Sequence, residues 1–452
     1  MFILPTDTNV GWEKLIIMKH KQVINNAKWI IICKIAQSVL QLIIGMISAR
    51  YLGPSNYGLI NYAASIVAFA LPIMKLGLDA ILVHELVESP DREGEIMGTS
   101  LLLNVISAIG CIGGVTLFAW LANMGERETI IVCALYSISI LFAATEMIQY
   151  WFQYKLLSKY SSVIMLISYV VVSSYKIYLL ATAKSVYWFA VSHSVEYGLI
   201  GILLIVFYTK KSGGSLSFSW TRAMHMLSKG KHYILAALMV VVIQNTDHIM
   251  LTTMIGKVEN GYYSAAITSA GVAQFVFTAI IDSFRPIILS SKKYNQSEYE
   301  NNISNLFGLI TYLSIAQSLV FTIFAPLIIG LLYGEEYVQA VPVLQILTWY
   351  RAFSFMGTIR NIWLLAENKQ KYLPLINLVG VVLNIVINAL LIPFWGARGA
   401  AFASLVTQVV MNFVLGFIFR PIRKSNSLMI RGINPKYFFN QVTTIARQLK
   451  RK

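Results

Sequence analysis

The sequence predicts an all-α polytopic membrane protein: about 12 transmembrane helices in two six-helix lobes, a parallel pseudo-repeat around a central cavity, with both termini cytoplasmic. Three observations predict it. The chain is 57% hydrophobic and only 12% charged, where a soluble domain carries about 25% charged residues. Its apolar residues gather into runs of membrane length, about 20 residues each. Its lysines and arginines fall overwhelmingly on alternate loops, as the positive-inside bias requires of a multi-pass protein.

The runs, in order, cover 27–49, 57–82, 96–122, 129–153, 161–183, 186–209, 231–255, 261–288, 303–332, 338–365, 372–394 and 397–420. The third is uninterrupted, with no charge between Ile96 and Gly125. The fifth and sixth are divided only by Ala-Lys-Ser at 183–185. Residues 1–19 are neither apolar nor basic enough for a cleavable signal. The start, at Met1 or at Met18, stays open.

With the N-terminus in the cytoplasm, the even loops and both tails hold 26 of the 36 Lys and Arg, and the odd loops hold five: Arg50, Arg127, Lys184, Lys257 and Arg398. The net charge of +16 is therefore a property of one membrane face and suits an anionic leaflet. It does not point to nucleic acid, because no soluble domain carries a basic patch. Cys33, Cys111 and Cys133 all lie in apolar runs and read as small buried side chains. No Cys/His pairing of metal-ligand spacing occurs, so neither a metal nor a resident cofactor is expected.

The chain repeats itself weakly at an offset of 203. Gly53 and Gly58 recur as Gly256 and Gly261, Lys28 as Lys231, Gln41 as Gln244, Ala63 as Ala266 and Asp79 as Asp282. This divides the chain into a first lobe at 20–209, a linker at 210–230, a second lobe at 231–420 and a basic cytoplasmic tail at 421–452. Since both lobes begin in the cytoplasm, their repeat axis runs along the membrane normal. Glycine permits a tight turn and proline fixes one. The loops holding Gly53, Pro54 and Gly58, and Gly256 and Gly261, read either as plain helix hairpins or as a gate or hinge at the outer face. The tail has an amphipathic pattern near 437–449, suited to the cytoplasmic leaflet.

Five basic residues stand five or more residues from either end of an apolar run: Lys34, Lys75, Lys176, Arg351 and Arg360. A charge in hydrocarbon costs a few kcal/mol, so such residues face a bundle interior or a wet cavity. Lys34, Lys75 and Arg360 lie near enough to a membrane surface to snorkel, and Lys75 stands four residues before Asp79. Arg351 sits mid-span with no such escape. Arg351 and Arg360 are nine residues apart and share one cavity only if their helix kinks, for which Gly357 is the candidate. Polar stripes at helical spacing mark the first two spans of each half. Lys34, Gln37, Ser38, Gln41, Gly45 and Ser48 form one, Asn61, Ser65, Pro72, Lys75 and Asp79 another. The second half has Gln244, Asp247 and His248, then Gln274, Thr278, Asp282 and Arg285. Each stripe reads as helix–helix adhesion or as cavity lining. Asp79, Asp247, Asp282 and Glu196 are candidates for ion coupling or for charge partners.

Several motifs together resemble the Wzx-type O-antigen flippases. They are Asn-Asn-Ala-Lys-Trp (25–29), Ala-Arg-Tyr-Leu-Gly-Pro-Ser-Asn-Tyr-Gly (49–58), Lys-Leu-Gly-Leu-Asp (75–79), Asp-Ser-Phe-Arg-Pro (282–286) and Trp-Gly-Ala-Arg-Gly-Ala-Ala (395–401). That family belongs to the multidrug, oligosaccharidyl-lipid and polysaccharide exporter superfamily. The resemblance implies a multi-pass protein of the bacterial inner membrane that moves undecaprenyl-pyrophosphate-linked glycan repeat units by alternating access, within the phospholipid bilayer and alongside other polysaccharide-export proteins. It implies a cationic cavity, whose role passes to Lys34, Lys75, Arg285, Arg351, Lys176 and Arg360. It leaves the coupling ion, H+ or Na+, open. Two rivals remain: a multidrug or cation antiporter of the same superfamily, which calls for an acid-dominated cavity, and a membrane polysaccharide polymerase or ligase, which calls for a catalytic cluster and a large outer loop. The sequence has neither of the latter, so a transporter rather than an enzyme is expected.

Overall fold

The apolar runs fold as helices because a chain in hydrocarbon must pair its backbone amides within itself. The computed structural model describes residues 10–212, 215–438 and 440, with side chains described except in 10–28 and at Ser212. Every regular element among the described residues is helical. Eight helices are long and apolar enough to cross a membrane by length and composition, or nine if Lys257–Ala270 and Gln274–Tyr294, bent by 46°, form one span. Two of the eight contain a glycine break. The Val10–Lys75 helix is interrupted at Gly53 (φ 68°, ψ 170°), and Leu373–Val409 at Gly396 (φ 54°, ψ −133°). Dividing both there, and adding Ala340–Ala366, relates this number to the twelve apolar runs. The short Ala-Lys-Ser separation is a genuine turn: Ser158–Ala181 ends, Ala183 takes φ 52°, and Val186–Ser212 begins.

The contacts divide the chain into two units. The first comprises the described residues up to Gly45 together with Ile66–Leu238. Leu78, Leu82, Ile96, Met147, Trp151, Phe152 and Tyr208 are its buried core. In a bilayer such a core is held by close packing more than by release from water. Leu76 (φ 54°) and Gly77 (φ 69°) end the helix at Lys75. Gly77 also lies against Gly230, whose carbonyl oxygen would be 2.1 Å from a Cβ there. The 215–219 stretch runs along a groove made by Gly94 and Gly98, with Ser217 N donating to Gly94 O at 3.1 Å. Ser219 N donates to Thr99 Oγ1 at 3.1 Å. Glu85, only 1% exposed, then receives Arg222 Nη1 at 3.2 Å and Lys229 Nζ at 2.7 Å, with His225 Nδ1 at 3.7 Å. The stretch read as a linker is thus pinned to the first unit at both its ends.

The second unit comprises Met46–Ser65 together with the described residues from Met239 onward. Its core includes Tyr299, Phe307 and Trp363 around Phe277 and Phe355, which stack at 4.4 Å. Asn295 caps the long Gln296–Tyr333 helix by accepting from Ser297 N and Glu298 N, satisfying two otherwise unpaired amides. The start of the basic tail forms the Arg423–Ile433 helix. It packs so closely on Gln296–Tyr333 that a Cβ on Gly432 would lie 2.0 Å from Ser304 O. Tyr312 Oη donates to Ile433 O at 2.7 Å. The expected amphipathic segment at 437–449 lies mostly outside the described residues.

Candidate functional site

The two glycine loops that repeat in sequence meet each other. All of their residues lie in the second unit. Gly53 and Gly256 take positive φ (68° and 126°) and open the helical segments that follow them. A Cβ on Gly58 would stand 1.8 Å from Lys257 O, and one on Gly261 would stand 2.0 Å from Pro54 O. Only hydrogen fits at either position, because backbone meets backbone in both directions. Asn260 Nδ2 donates to Gly58 O at 2.7 Å, and Tyr337 Oη donates to Ala49 O at 2.7 Å. This glycine clasp is why residues 46–65 group with the second unit although they follow the first span. The sequence suggested two equivalent loops; it held no signal that they touch.

Below the clasp, Asp247 is the hub of a buried polar cluster. The carboxylate is 2% exposed. Tyr263 Oη donates to Oδ2 at 2.5 Å, and Ser404 Oγ donates to the same oxygen. Asn384 Nδ2 and Asn388 Nδ2 donate to Oδ1 at 3.1 and 2.5 Å. No basic side chain among the described residues forms an ion pair with it. A buried charge is normally neutralised by a partner charge, whereas here four neutral groups converge on it. Asn388 Oδ1 has no partner of its own. All four groups donate to the carboxylate, so Asp247 and the unpartnered Asn388 Oδ1 are the acceptors that a proton or a small hard cation would meet. Asn384, Asn388, Ser404 and Tyr263 were not singled out from sequence. The pair Asn384 and Asn388, four residues apart in an apolar run that also holds Asn377, was the signal that would have found two of them.

The cations fall into distinct environments. Lys75 stands 3.9 Å from Glu146, not beside Asp79: the four-residue spacing assumed an unbroken helix, and the turn at Leu76–Gly77 breaks it. Arg285 pairs with Asp282 at 3.0 Å, both half-exposed. Arg351 Nη1 donates to Gln274 Oε1 at 3.0 Å, and its Nη2 lies 3.5 Å from Ile267 O. It thereby braces the break between Lys257–Ala270 and Gln274–Tyr294, at the carbonyl end of the first helix, where a cation is favoured. Arg360 is buried and donates to Met411 O within the π turn Val410–Val414, a kind of irregularity that leaves carbonyls available. The Ala340–Ala366 helix is continuous through Gly357, so the expected kink is absent and the two arginines serve different neighbours. Lys34 is exposed. Lys176 and Glu196 share the first unit's interior with His193, whose ring lies 4.4 Å from that of Tyr136.

These environments separate the candidates electrically. Lys75 and Arg285 face carboxylates, which cancel most of their charge. Among the described residues, Arg351 and Arg360 hydrogen-bond only to neutral carbonyl and amide oxygens.

The chain matches the family model described as "Polysaccharide biosynthesis protein" over residues 47–342. It is 21% identical over 336 residues to the teichuronic acid biosynthesis protein TuaB of Bacillus subtilis, covering 72% of this chain and 68% of that one. It is 28% identical over 156 residues to the probable low-salt glycan biosynthesis flippase Agl15 of Haloferax volcanii, covering 34% of this chain and 33% of that one. Among solved structures, the lipid II flippase MurJ in an inward closed conformation aligns with a TM-score of 0.65 at 13% identity, over 89% of this chain and 90% of that one. An inward-facing multidrug resistance MATE family transporter aligns with the same TM-score and identity, over 87% and 95%. The structural likeness shows the fold, and the family model covers well over half the sequence. The structure is that of a multi-pass membrane protein by the length and composition of its helices, and the chain belongs to the polysaccharide biosynthesis protein family.

Proposed function

We propose that the protein is a flippase that carries undecaprenyl-pyrophosphate-linked oligosaccharide repeat units, of the O-antigen or related surface-polysaccharide kind, across the bacterial inner membrane. The observation that carries the proposal is the mid-span Arg351, whose guanidinium is held by neutral acceptors alone. A pyrophosphate in a membrane needs charge-assisted donors, and a guanidinium supplies them in pairs. The relatives named for teichuronic acid and glycan flipping support a lipid-linked glycan as cargo. Twelve crossings with both termini cytoplasmic, in lobes at 20–209 and 231–420, fit the charge asymmetry of the loops.

The transport cycle is alternating access, with the glycine clasp as the outer gate. Arg351 holds the headgroup, and Lys75 and Arg285 act through their acidic partners. Coupling to H+ or Na+ resides in the Asp247 cluster, because that carboxylate has no basic partner to displace. Glu196 is the corresponding acid of the first unit's interior. An antiporter for organic cations would also use a buried acid, so the test must separate the two cargoes.

That test is complementation of a strain lacking its own flippase, with wild type, Arg351→Ala and Arg351→Lys at matched expression. Wild type is expected to restore surface polysaccharide. Arg351→Ala is expected to lose at least about tenfold of it, since a lost charge-assisted bond costs about 1.5–3 kcal/mol. The lysine variant is expected to retain an intermediate level. Full function of Arg351→Ala would remove the anion-binding argument. Drug resistance conferred by wild type in place of complementation would establish the antiporter instead.

A further inference from the structure

We infer that Asn260 links the Asp247 cluster to the glycine clasp, so that the charge state of the cluster sets how firmly the clasp is held. The inference rests on the coupling role proposed for Asp247. Asn260 is fully buried. Its Nδ2 donates to Gly58 O, and a backbone carbonyl can only accept, so the amide's orientation is determined and Oδ1 must face His248. His248 Nδ1 lies 2.7 Å from that Oδ1. An oxygen acceptor there requires the hydrogen on Nδ1. Ser264 Oγ, 3.5 Å from the same Oδ1, adds a second donor.

On its other side, His248 follows Asp247 in the chain, and its ring meets that of Tyr263 edge-on at 5.1 Å. The Tyr263 hydroxyl is the one that donates to Asp247. A continuous series of contacts therefore runs from the Asp247 carboxylate through Tyr263, His248 and Asn260 to the Gly58 carbonyl. Asp247, Tyr263, His248 and Asn260 are all 9% exposed or less, so water does not dilute these bonds. When a cation or proton neutralises Asp247, Tyr263 and Ser404 lose their charged acceptor, and the ring against His248 is free to shift. When the clasp opens, Asn260 loses Gly58 O and becomes a buried donor without a partner, which is costly. One side chain is thus penalised by rearrangement at either end, which is what couples two sites.

The experiment is a double-mutant cycle read at the clasp itself. In full-length protein with Cys33, Cys111 and Cys133 replaced by serine, nitroxide labels at positions 56 and 258 flank the clasp, and their distance distribution is measured in lipid nanodiscs. Asp247→Asn imitates the neutralised carboxylate. It is expected to shift the ratio of clasped to open populations by about five- to tenfold in the otherwise unaltered chain. The shift should fall to no more than about twofold with Asn260→Ala. Asn260→Leu, which keeps the side-chain volume and loses both hydrogen bonds, is expected to behave like the alanine variant, so that a packing defect is distinguished from loss of the link. Sodium chloride titration at fixed pH and pH titration in choline buffer are run in parallel, with thermal stabilisation by sodium as a separate readout of binding. Retained stabilisation with a lost distance response in the Asn260 variants supports the link. An equal shift with and without Asn260 overturns it and leaves the coupling proposal standing. A clasp that responds to neither Asp247→Asn, sodium nor protons overturns both.

Discussion

Gly58→Ala is the sharpest perturbation available, because the structure states what the added methyl would strike. The Cβ would lie 1.8 Å from Lys257 O, 2.7 Å from Gly261 N and 2.9 Å from Lys257 C. Carbon and carbonyl oxygen approach to about 3.3 Å at closest in ordinary packing, so the two backbones must separate by about 1.5 Å. Backbone at the start of a helix cannot yield as a side-chain tip does. One added methylene in a well-packed site costs about 1–3 kcal/mol, and this contact belongs at the upper end or beyond. The cost falls on the clasped arrangement alone, so the clasped-to-open ratio should drop by about a hundredfold or more, at 1.36 kcal/mol per decade. Gly45→Ala is the control. Nothing lies within 4 Å of a Cβ there, and alanine in an unobstructed helix position is favoured by about 0.5–1 kcal/mol. The assay is the same label-pair distance in nanodiscs together with surface-polysaccharide complementation. If Gly58→Ala matches Gly45→Ala in both, the clasp is not a tight backbone contact and its assignment as a gate fails.

Two further predictions concern ends of helices in the two units. Glu85→Gln should lower the thermal stability of the purified protein by about 3 kcal/mol, because it leaves Arg222 and Lys229 facing a buried neutral amide. Lys229→Ala, whose side chain is 42% exposed, should cost far less; equal losses would show that Glu85 is not the hub. Glu367 follows the Ala340–Ala366 helix, where burial would raise its pKa but Lys292, bonded at 2.5 Å, outweighs that and holds it below the ordinary glutamate value. A depressed folded-state pKa contributes stability above the unfolded value, and that stability is lost as pH falls through the folded value. Thermal stability should therefore decline below about pH 4.3, and Lys292→Ala should flatten that part of the profile; an unchanged profile would refute the pairing.

What the sequence disclosed, and what it withheld, follows from the range of the interactions. Helices and their breaks are local, and each apolar run falls on helical backbone, including the pair separated only by Ala-Lys-Ser. The stranded charges were equally visible, since a Lys or Arg among apolar residues is conspicuous without any partner. Partners were not visible when they came from far along the chain. Asp247 was singled out as an isolated acid, but Asn384, Asn388 and Ser404 lie more than 130 positions away. Glu85 drew no notice because a glutamate near a loop is ordinary until Arg222 and Lys229 fold against it. Lys75 was given to Asp79 by helical spacing, which fails wherever the helix ends between the two residues.

The weak internal repeat sharpens the coupling argument by where it fails. The repeated aspartates, Asp79 and Asp282, are half-buried or exposed, and Asp282 is cancelled by its neighbour Arg285. Neither has the surroundings of a coupling site. Asp247 has those surroundings, yet at the same offset of 203 the first half places Ile44, and opposite Asn384 and Ser404 it places Ala181 and Gly201. The first half thus fills the equivalent positions with apolar or small residues that bind neither proton nor cation. The Asp247 cluster and the Gly58 contact lie in the same unit, so under the proposed coupling the neutralised carboxylate acts on the unit that also holds the clasp. A two-state cycle needs such a bias, because a ligand that interacts equally with both states shifts nothing.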